Sequence, residues 1–266
     1  MIRVRSHEPD ENGTLVRVDM QYVGFEAVQL DGRVERRDEM RETCVVLLSG
    51  HASLHGLGDA ARATPFDGPP VALYVPPRVT WWAEGAGELA ICSAPAQGAL
   101  EPRLLASPEQ FTRGEGTEER YIANILMESE PAESLLVTEV VTPAGHWSSY
   151  PPHKHDTDAM PDEALLEETY YHRLDPPQGF AFQRVYTDDR SIDESLAVED
   201  HDVVMVPRGY HPVVVPYGYE SYYLNVMAGP RRAWHFHNDP AHEWMLRGAA
   251  APTPAANDDD GKGEHG

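Results

Sequence analysis

The chain is cut into short apolar runs. TLVRVDM, GFEAVQL, TCVVLL, ALYV and ELAICS fall in the first half; LLVTEVV, EETYYHR, FAFQRVYT, DVVMVP, HPVVV and SYYLNVM fall in the second. The runs are rich in Val, Tyr, Phe and Thr, and Pro, Gly or Asp stands between them. β-branched and aromatic side chains suit a pleated surface, and Pro and Gly interrupt it. No long helical periodicity competes. With 23 Pro and 21 Gly in 266 residues, the pattern implies all-β sandwich or barrel domains.

The length accommodates two such domains, and the sequence divides accordingly. Residues 1–95 are expected to form one β-barrel and residues 131–247 a second. Between them, residues 96–130 read as a linker mixing Gly, Pro, Glu and Arg, ending in a short helix over ERYIANILME. The last stretch, residues 248–266, has nothing to bury and is expected to be disordered. The two halves also rhyme: ALYVPPRVTWW at 72–82 parallels VVMVPRGYHPV at 203–213. That rhyme implies a duplication in which only the second copy keeps the chemistry, since the first lacks the histidine pair and a match to His211.

Charge narrows the function. There are 44 acidic residues against 21 basic, a net charge of −23. Such a field repels nucleic acid and anionic membrane surfaces. No stretch is apolar for the length a membrane span needs, and the N-terminus MIRVRSHEPDENG lacks the apolar core of a secretion signal. A cytoplasmic location is expected. The two cysteines, Cys44 and Cys92, sit in apolar runs and read as buried free thiols.

Chemistry concentrates around YPPHKHD. In a strand, His153 and His155 aim at one side, because side chains alternate. Downstream, LLEETYYHR puts Glu168, Tyr170 and His172 on one face and Glu167, Thr169 and Tyr171 on the other, and VPRGYHPV supplies His211 after a Pro-x-Gly turn. Two histidines, a carboxylate and a third histidine on neighbouring strands can converge inside a barrel. Imidazole and carboxylate together suit a divalent transition metal ion such as Zn, Mn, Fe or Ni, and suit Ca poorly.

Gly145, the His-x-His pair, the later Glu and the Pro-x-Gly with its His resemble the cupin metal motif. Glu168 lies thirteen positions after His155, so DTDAMPDEALLE must loop out as an insertion. Glu167 stays open as the ligand beside the preferred Glu168. A wider resemblance runs through GHWSSYPPHKHD, LLEETYYHRLDPPQGFAFQRVYTDDRSIDE, VPRGYHPV, YYLNVMAGP and NDPAHEW. These segments resemble the 5-deoxy-glucuronate isomerase family of inositol catabolism, bicupins related to the uronate isomerase of pectin breakdown. The resemblance is dense in the second half and loose in the first. It implies a bicupin of two double-stranded β-helix barrels and an aldose–ketose isomerisation of a sugar acid. It also implies a metal held by His153, His155, Glu168 and His211, and a homo-oligomer.

Isomerisation needs a proton shuttle. Tyr170 and His172 share the face of Glu168 and are the candidates; Tyr186, and Tyr222 or Tyr223 by parity, are further barrel-lining candidates. A sugar acid in so acidic a protein also needs a local cation. Lys154, Arg173, Arg184 and Arg208 are near, and Arg184, in the middle of a strand, is ranked first. Lys154 alternates away from the ligand histidines. A second His-x-His, His235 and His237 in RRAWHFHNDPAH, lacks a partner carboxylate and reads as a surface or interface segment. Two other classes compete: a cupin dioxygenase using the same ligands, and a non-catalytic sugar-binding cupin. The absence of a His-x-Asp at this position speaks against the two-histidine, one-carboxylate oxygenases.

Overall fold

The run TCVVLL shows how the fold is built. In the computed structural model, which describes residues 2–98 and 100–247, it lies in the strand Arg41–Leu54. Cys44, Val46 and Leu48 point into one apolar cluster, and Val45 and Leu47 point into another. An unbroken apolar run is what a strand buried on both faces requires. One face fills the interior of the first barrel, with Leu30, Leu73, Trp81 and Leu89. The other packs against the second barrel, where Phe25, Tyr74 and Ala90 meet Tyr171, Tyr222, Leu224 and Val226. Cys44 and Cys92 face each other across the ladder as free buried thiols.

The first sheet is antiparallel, in the order Thr14–Asp19, Gly24–Arg36, Trp81–Pro95, Arg41–Leu54, Ala72–Val75, Arg103–Leu105, with Gly58–Arg62 on the far half of Arg41–Leu54. The long strand bends where its register shifts between Leu47 and Ser49. Gly50 follows with φ +88°, and a Cβ there would lie 2.1 Å from the Ala86 carbonyl oxygen, so no other residue fits.

The second barrel has a seven-stranded sheet in the order Arg3–Val4, Val203–Val206, Glu167–Asp175, Glu220–Ala228, Leu136–Thr142, Arg120–Leu126, Glu109–Arg113. A four-stranded sheet opposes it: Trp147–Ser148, Val213–Val214, Phe180–Tyr186, Asp193–Glu199. Val140, Tyr170, Leu174, Ala181, Val185, Val204 and Tyr223 fill the space between them. The fold is all-β and cupin-like. The described residues contain no α-helix, only 3₁₀ turns at Gly116–Glu118 and Glu243–Arg247.

Three expectations need correction. The helix expected over ERYIANILME is the strand Arg120–Leu126, hydrogen-bonded to a neighbour on each side. Ile122, Ile125 and Leu126 imitate a helical face, but two ladders satisfy the backbone better than one short helix. The segment 96–130 is therefore not a linker: Arg103–Leu105 completes the first sheet, and Glu109–Arg113 and Arg120–Leu126 extend the second. Nor does residue 1–95 form one unit, because Arg3–Val4 pairs with Val203–Val204 in the second barrel. The expected disorder of 248–266 lies outside the described residues.

Buried polar groups staple the barrels. Arg62 forks onto Glu139 at 2.9 and 2.8 Å, and Tyr222 donates to the same carboxylate at 2.9 Å. Glu88 accepts from Tyr171 and from Arg173, whose Nε also reaches Asp200 at 2.9 Å.

Candidate metal centre and its cavity

The strand Glu167–Asp175 settles which side chains face inward. Glu168, Tyr170 and His172 enter the second barrel; Glu167 turns to the first, accepting the Tyr22 and Val23 amides at 2.7 and 3.3 Å. Glu168 thus stands in the site and Glu167 does not. The insertion loops out as expected. The chain leaves at His155, forms the ribbon Asp156–Ala159 with Glu163–Leu165, and returns where the Leu166 amide donates to the His155 carbonyl at 2.8 Å.

Ring nitrogens of His153, His155 and His211 lie within 4.8 Å of one another. Glu168 Oε2 is 3.1 Å from His155 Nε2 and 3.2 Å from His211 Nε2. The far side of two of the rings is engaged. His155 Nδ1–H donates to the Leu166 carbonyl at 3.0 Å and His211 Nδ1–H to the Gly209 carbonyl at 2.8 Å. These bonds turn both Nε2 atoms toward the carboxylate, where His155 Nε2 hydrogen-bonds to Glu168 Oε2. Asn225 donates to the other oxygen, Glu168 Oε1.

The electrostatics follow from burial. It pushes His153 and His211 down to about 3. His155 is different: burial pulls it down, but the hydrogen bond and charge of Glu168 outweigh that and raise it. His211 Nε2 is buried and has no hydrogen-bond partner. His155 Nε2 bonds to Glu168 Oε2, but the His211 Nε2 lone pair faces the same oxygen at 3.2 Å, and those two repel each other unless a cation sits between them. Three imidazoles and one carboxylate around one point, with the outer nitrogens of His155 and His211 anchored on carbonyls, therefore fit a divalent transition metal ion.

The other expected residues part company. Tyr170 lines a cavity of about 250 Å³ with His153 and Glu168, and its hydroxyl meets Ser149 Oγ at 2.9 Å. Burial pushes the phenol well up. His172 stacks on Tyr170 at 6.0 Å but lies behind it, bonded to Gln183 at 3.0 Å, and burial pushes it down to about 4. Tyr223 lines the cavity, whereas Tyr222 faces the first barrel. Arg184 and Tyr186 are not in the cavity. Along Phe180–Tyr186 it is Ala181, Gln183 and Val185 that turn inward. Arg184 forks onto Asp193 at 2.8 and 2.9 Å and covers the Tyr186 ring at 4.4 Å, while the Tyr186 hydroxyl donates to Asp239 at 2.7 Å.

The sequence gives no weight to four groups that the fold brings to the site. Arg113 and Arg120 line the cavity from the supposed linker. Trp234 and Phe236 come from RRAWHFHNDPAH, the segment read as surface. Trp234 lies 5.4 Å from the His155 ring, Phe236 lies 4.8 Å from the His153 ring, and His237–Asn238 pairs with His153–Lys154. His235 and His237 join no metal-type cluster among the described residues.

Residues 6–245 match the KduI/IolB family. The chain belongs to that family. A 5-deoxy-glucuronate isomerase of Geobacillus thermodenitrificans NG80-2 is 49% identical over 265 residues, covering 93% of this chain and 97% of the relative. The protein of that name from Bacillus subtilis 168 is 44% identical over 91% of this chain and 96% of its own length. Among solved structures, an IolB-like protein of Salmonella typhimurium LT2 superposes with a TM-score of 0.87 at 42% identity, covering 92% of this chain and 99% of that one. A Lactobacillus farciminis oxalate decarboxylase superposes at 0.61 with 12% identity, over 94% and 91% of the two chains, a likeness of fold alone. As a KduI/IolB protein the chain is an isomerase. No helix among its described residues is long and apolar enough to cross a membrane.

Proposed function

We propose that this family member is a metal-dependent aldose–ketose isomerase that converts 5-deoxy-D-glucuronate to 2-deoxy-5-keto-D-gluconate. The observation that carries the reading is the buried cluster of His153, His155, His211 and Glu168 at the wall of a cavity of about 250 Å³. Relatives that carry the name 5-deoxy-glucuronate isomerase supply the substrate. A cytoplasmic homo-oligomer acting in inositol catabolism completes the proposal.

His153, His155, Glu168 and His211 would hold the ion, Zn, Mn, Fe or Ni. When bound, such an ion supplies Lewis acidity to the carbonyl and hydroxyl oxygens whose charge grows during isomerisation. The chain supplies the rest. Asn225 fixes one oxygen of Glu168 and so orients the other. Tyr170, with its phenol pushed up by burial, stays protonated at neutral pH and is a hydrogen-bond donor rather than a standing base. Ser149, 2.9 Å from it, can accept or return that proton, so the pair can pass a proton to or from a substrate oxygen. Trp234 and Phe236 cover the histidines and exclude water, which strengthens each of these interactions.

The test is proton NMR of 5-deoxy-D-glucuronate with the protein, before and after chelation, and after adding back each metal. Conversion that chelator abolishes and one metal restores is expected. Absence of conversion by metal-loaded protein, or oxygen uptake in its place, would overturn the reading.

A further inference from the structure

Arg113 and Arg120 face each other. They are Cα partners in the ladder between Glu109–Arg113 and Arg120–Leu126, and both line the cavity that holds His153, Glu168 and Tyr170. Like charges placed directly opposite across an antiparallel pair are unfavourable. A sheet edge has no structural need for that arrangement.

Neither guanidinium is paired with a carboxylate in contact. Among the described residues no carboxylate oxygen lies within 4.0 Å of either, whereas Arg62, Arg173 and Arg184 all have such partners. Arg120 is only 7% exposed, and it donates to the main-chain carbonyls of Glu118 at 2.8 Å and Tyr150 at 3.3 Å. Arg232, the other arginine bonded only to carbonyls near the site, spends its donors on three of them and braces a turn. Arg120, with five N–H donors, makes two such bonds and lines the cavity. Arg113 is exposed at the mouth, its guanidinium 5.7 Å from the Phe236 ring. Burial lowers the Arg120 guanidinium and the charge of Arg113 lowers it further, against opposing contributions from Tyr223 and Glu118. Two positive charges thus line the cavity beside the metal-type cluster, in a chain of net charge −23.

We infer that Arg113 and Arg120 form the clamp for the substrate's carboxylate and that they set the preference of this isomerase for sugar acids over neutral sugars. The inference rests on the sugar-acid reading above. The cross-strand repulsion is relieved when one anion bridges the two forks, and a planar carboxylate matches a guanidinium edge. The role first expected of Arg184 passes to this pair, since Arg184 is already neutralised by Asp193 outside the cavity.

The test compares metal-loaded wild type, Arg113→Gln, Arg120→Lys and Arg184→Gln on 5-deoxy-D-glucuronate and on the analogue with a hydroxymethyl group in place of the carboxylate. Arg113→Gln keeps the fold because its side chain is exposed, and Arg120→Lys keeps the buried charge. In both, KM for the uronate is expected to rise by roughly 10- to 100-fold, the loss of a charge-assisted hydrogen bond. Turnover of the neutral analogue and bound metal should stay at wild-type values, as should all parameters of Arg184→Gln. Unchanged KM for the uronate in Arg113→Gln and Arg120→Lys, or equal losses on both substrates, would overturn the clamp. Should wild type convert neither sugar, the isomerase reading fails by itself. Calorimetric titration with D-glucuronate against D-glucose then decides the clamp alone. Binding of the acid that weakens in both variants supports it, and equal binding to wild type and variants, or none to wild type, overturns it.

Discussion

Glu168 Oε2 and His211 Nε2 stand 3.2 Å apart with no hydrogen bond between them. The imidazole proton is on the other nitrogen, held by the Gly209 carbonyl at 2.8 Å. The contact is favourable only with a cation between the two atoms. Glu168→Gln and His211→Ala are therefore expected to lose bound metal and activity together while the circular dichroism spectrum stays that of a folded β protein. Metal content by mass spectrometry checks this. Full metal occupancy in both variants would refute the ligand set.

Tyr170→Phe separates proton handling from metal binding. The change removes one hydroxyl from the Ser149 contact and leaves the ring in place. kcat is expected to fall by about 10²- to 10⁴-fold, the usual worth of a positioned acid or base, with metal content unchanged. His172→Gln should lower stability more than kcat, because His172 touches Gln183 and the back of Tyr170 rather than the cavity. Steady-state kinetics and urea unfolding of the two variants distinguish these roles.

These assignments show what alternation along a strand can and cannot reveal. Within EETYYHR the period of two placed Glu168, Tyr170 and His172 together, because one buried ligand fixes the parity of the rest. Within FAFQRVYT nothing fixed the parity, and a slip of one residue exchanges every inward side chain for an outward one. Gln183 faces in, and Arg184 with Tyr186 faces out. Arg113 and Arg120 were hidden for another reason: their hairpin reads locally as linker and helix, and only pairing with Leu136–Thr142 makes it sheet. Trp234 and Phe236 reach the histidines through contacts about eighty positions away in sequence, which no local pattern encodes.

The Arg62–Glu139 pair makes the union of the barrels testable. Both side chains are almost wholly buried, at 4% and 6% exposure. Burial raises the Glu139 carboxyl, and the bonds from Arg62 and Tyr222 only partly offset that. Arg62→Ala strands a buried carboxylate and is expected to cost about 3–5 kcal/mol. Arg62→Met with Glu139→Leu should recover most of the loss. Urea unfolding of the single and double variants measures both, and additivity of the two single losses would contradict the pairing.

Asp200 gives the interface an acid limit. Burial would raise its carboxyl, but the hydrogen bond from His201 and the charge of Arg173 outweigh it and hold the group below its ordinary value. A depressed folded-state value contributes stability above the unfolded value of about 3.9, lost as pH falls through the folded one. The advantage of wild type over Asp200→Asn is thus expected to be full near neutrality and to shrink below about pH 4. Melting temperatures of the two proteins from pH 7 downward test the sign.

Trp234 is expected to control water at the metal centre. Its ring lies 5.4 Å from His155, 6.1 Å from His153 and 5.5 Å from Phe236, and it lines the cavity with both arginines. It makes no ligand bond, so its effect is through exclusion. Removing the indole lets water reach the outer faces of two imidazoles and weakens the field they share with Glu168. Trp234→Ala should then lose metal to chelator faster and bind it roughly 10- to 100-fold more weakly, the scale set by groups that support metal ligands without touching the ion. Trp234→Phe keeps an apolar cover and should fall between the two. The rate of metal transfer to a chromophoric chelator reads this directly. Equal rates in wild type and Trp234→Ala would mean that the cover over the histidines is set by Phe236 and the strand pair His237–Asn238 alone.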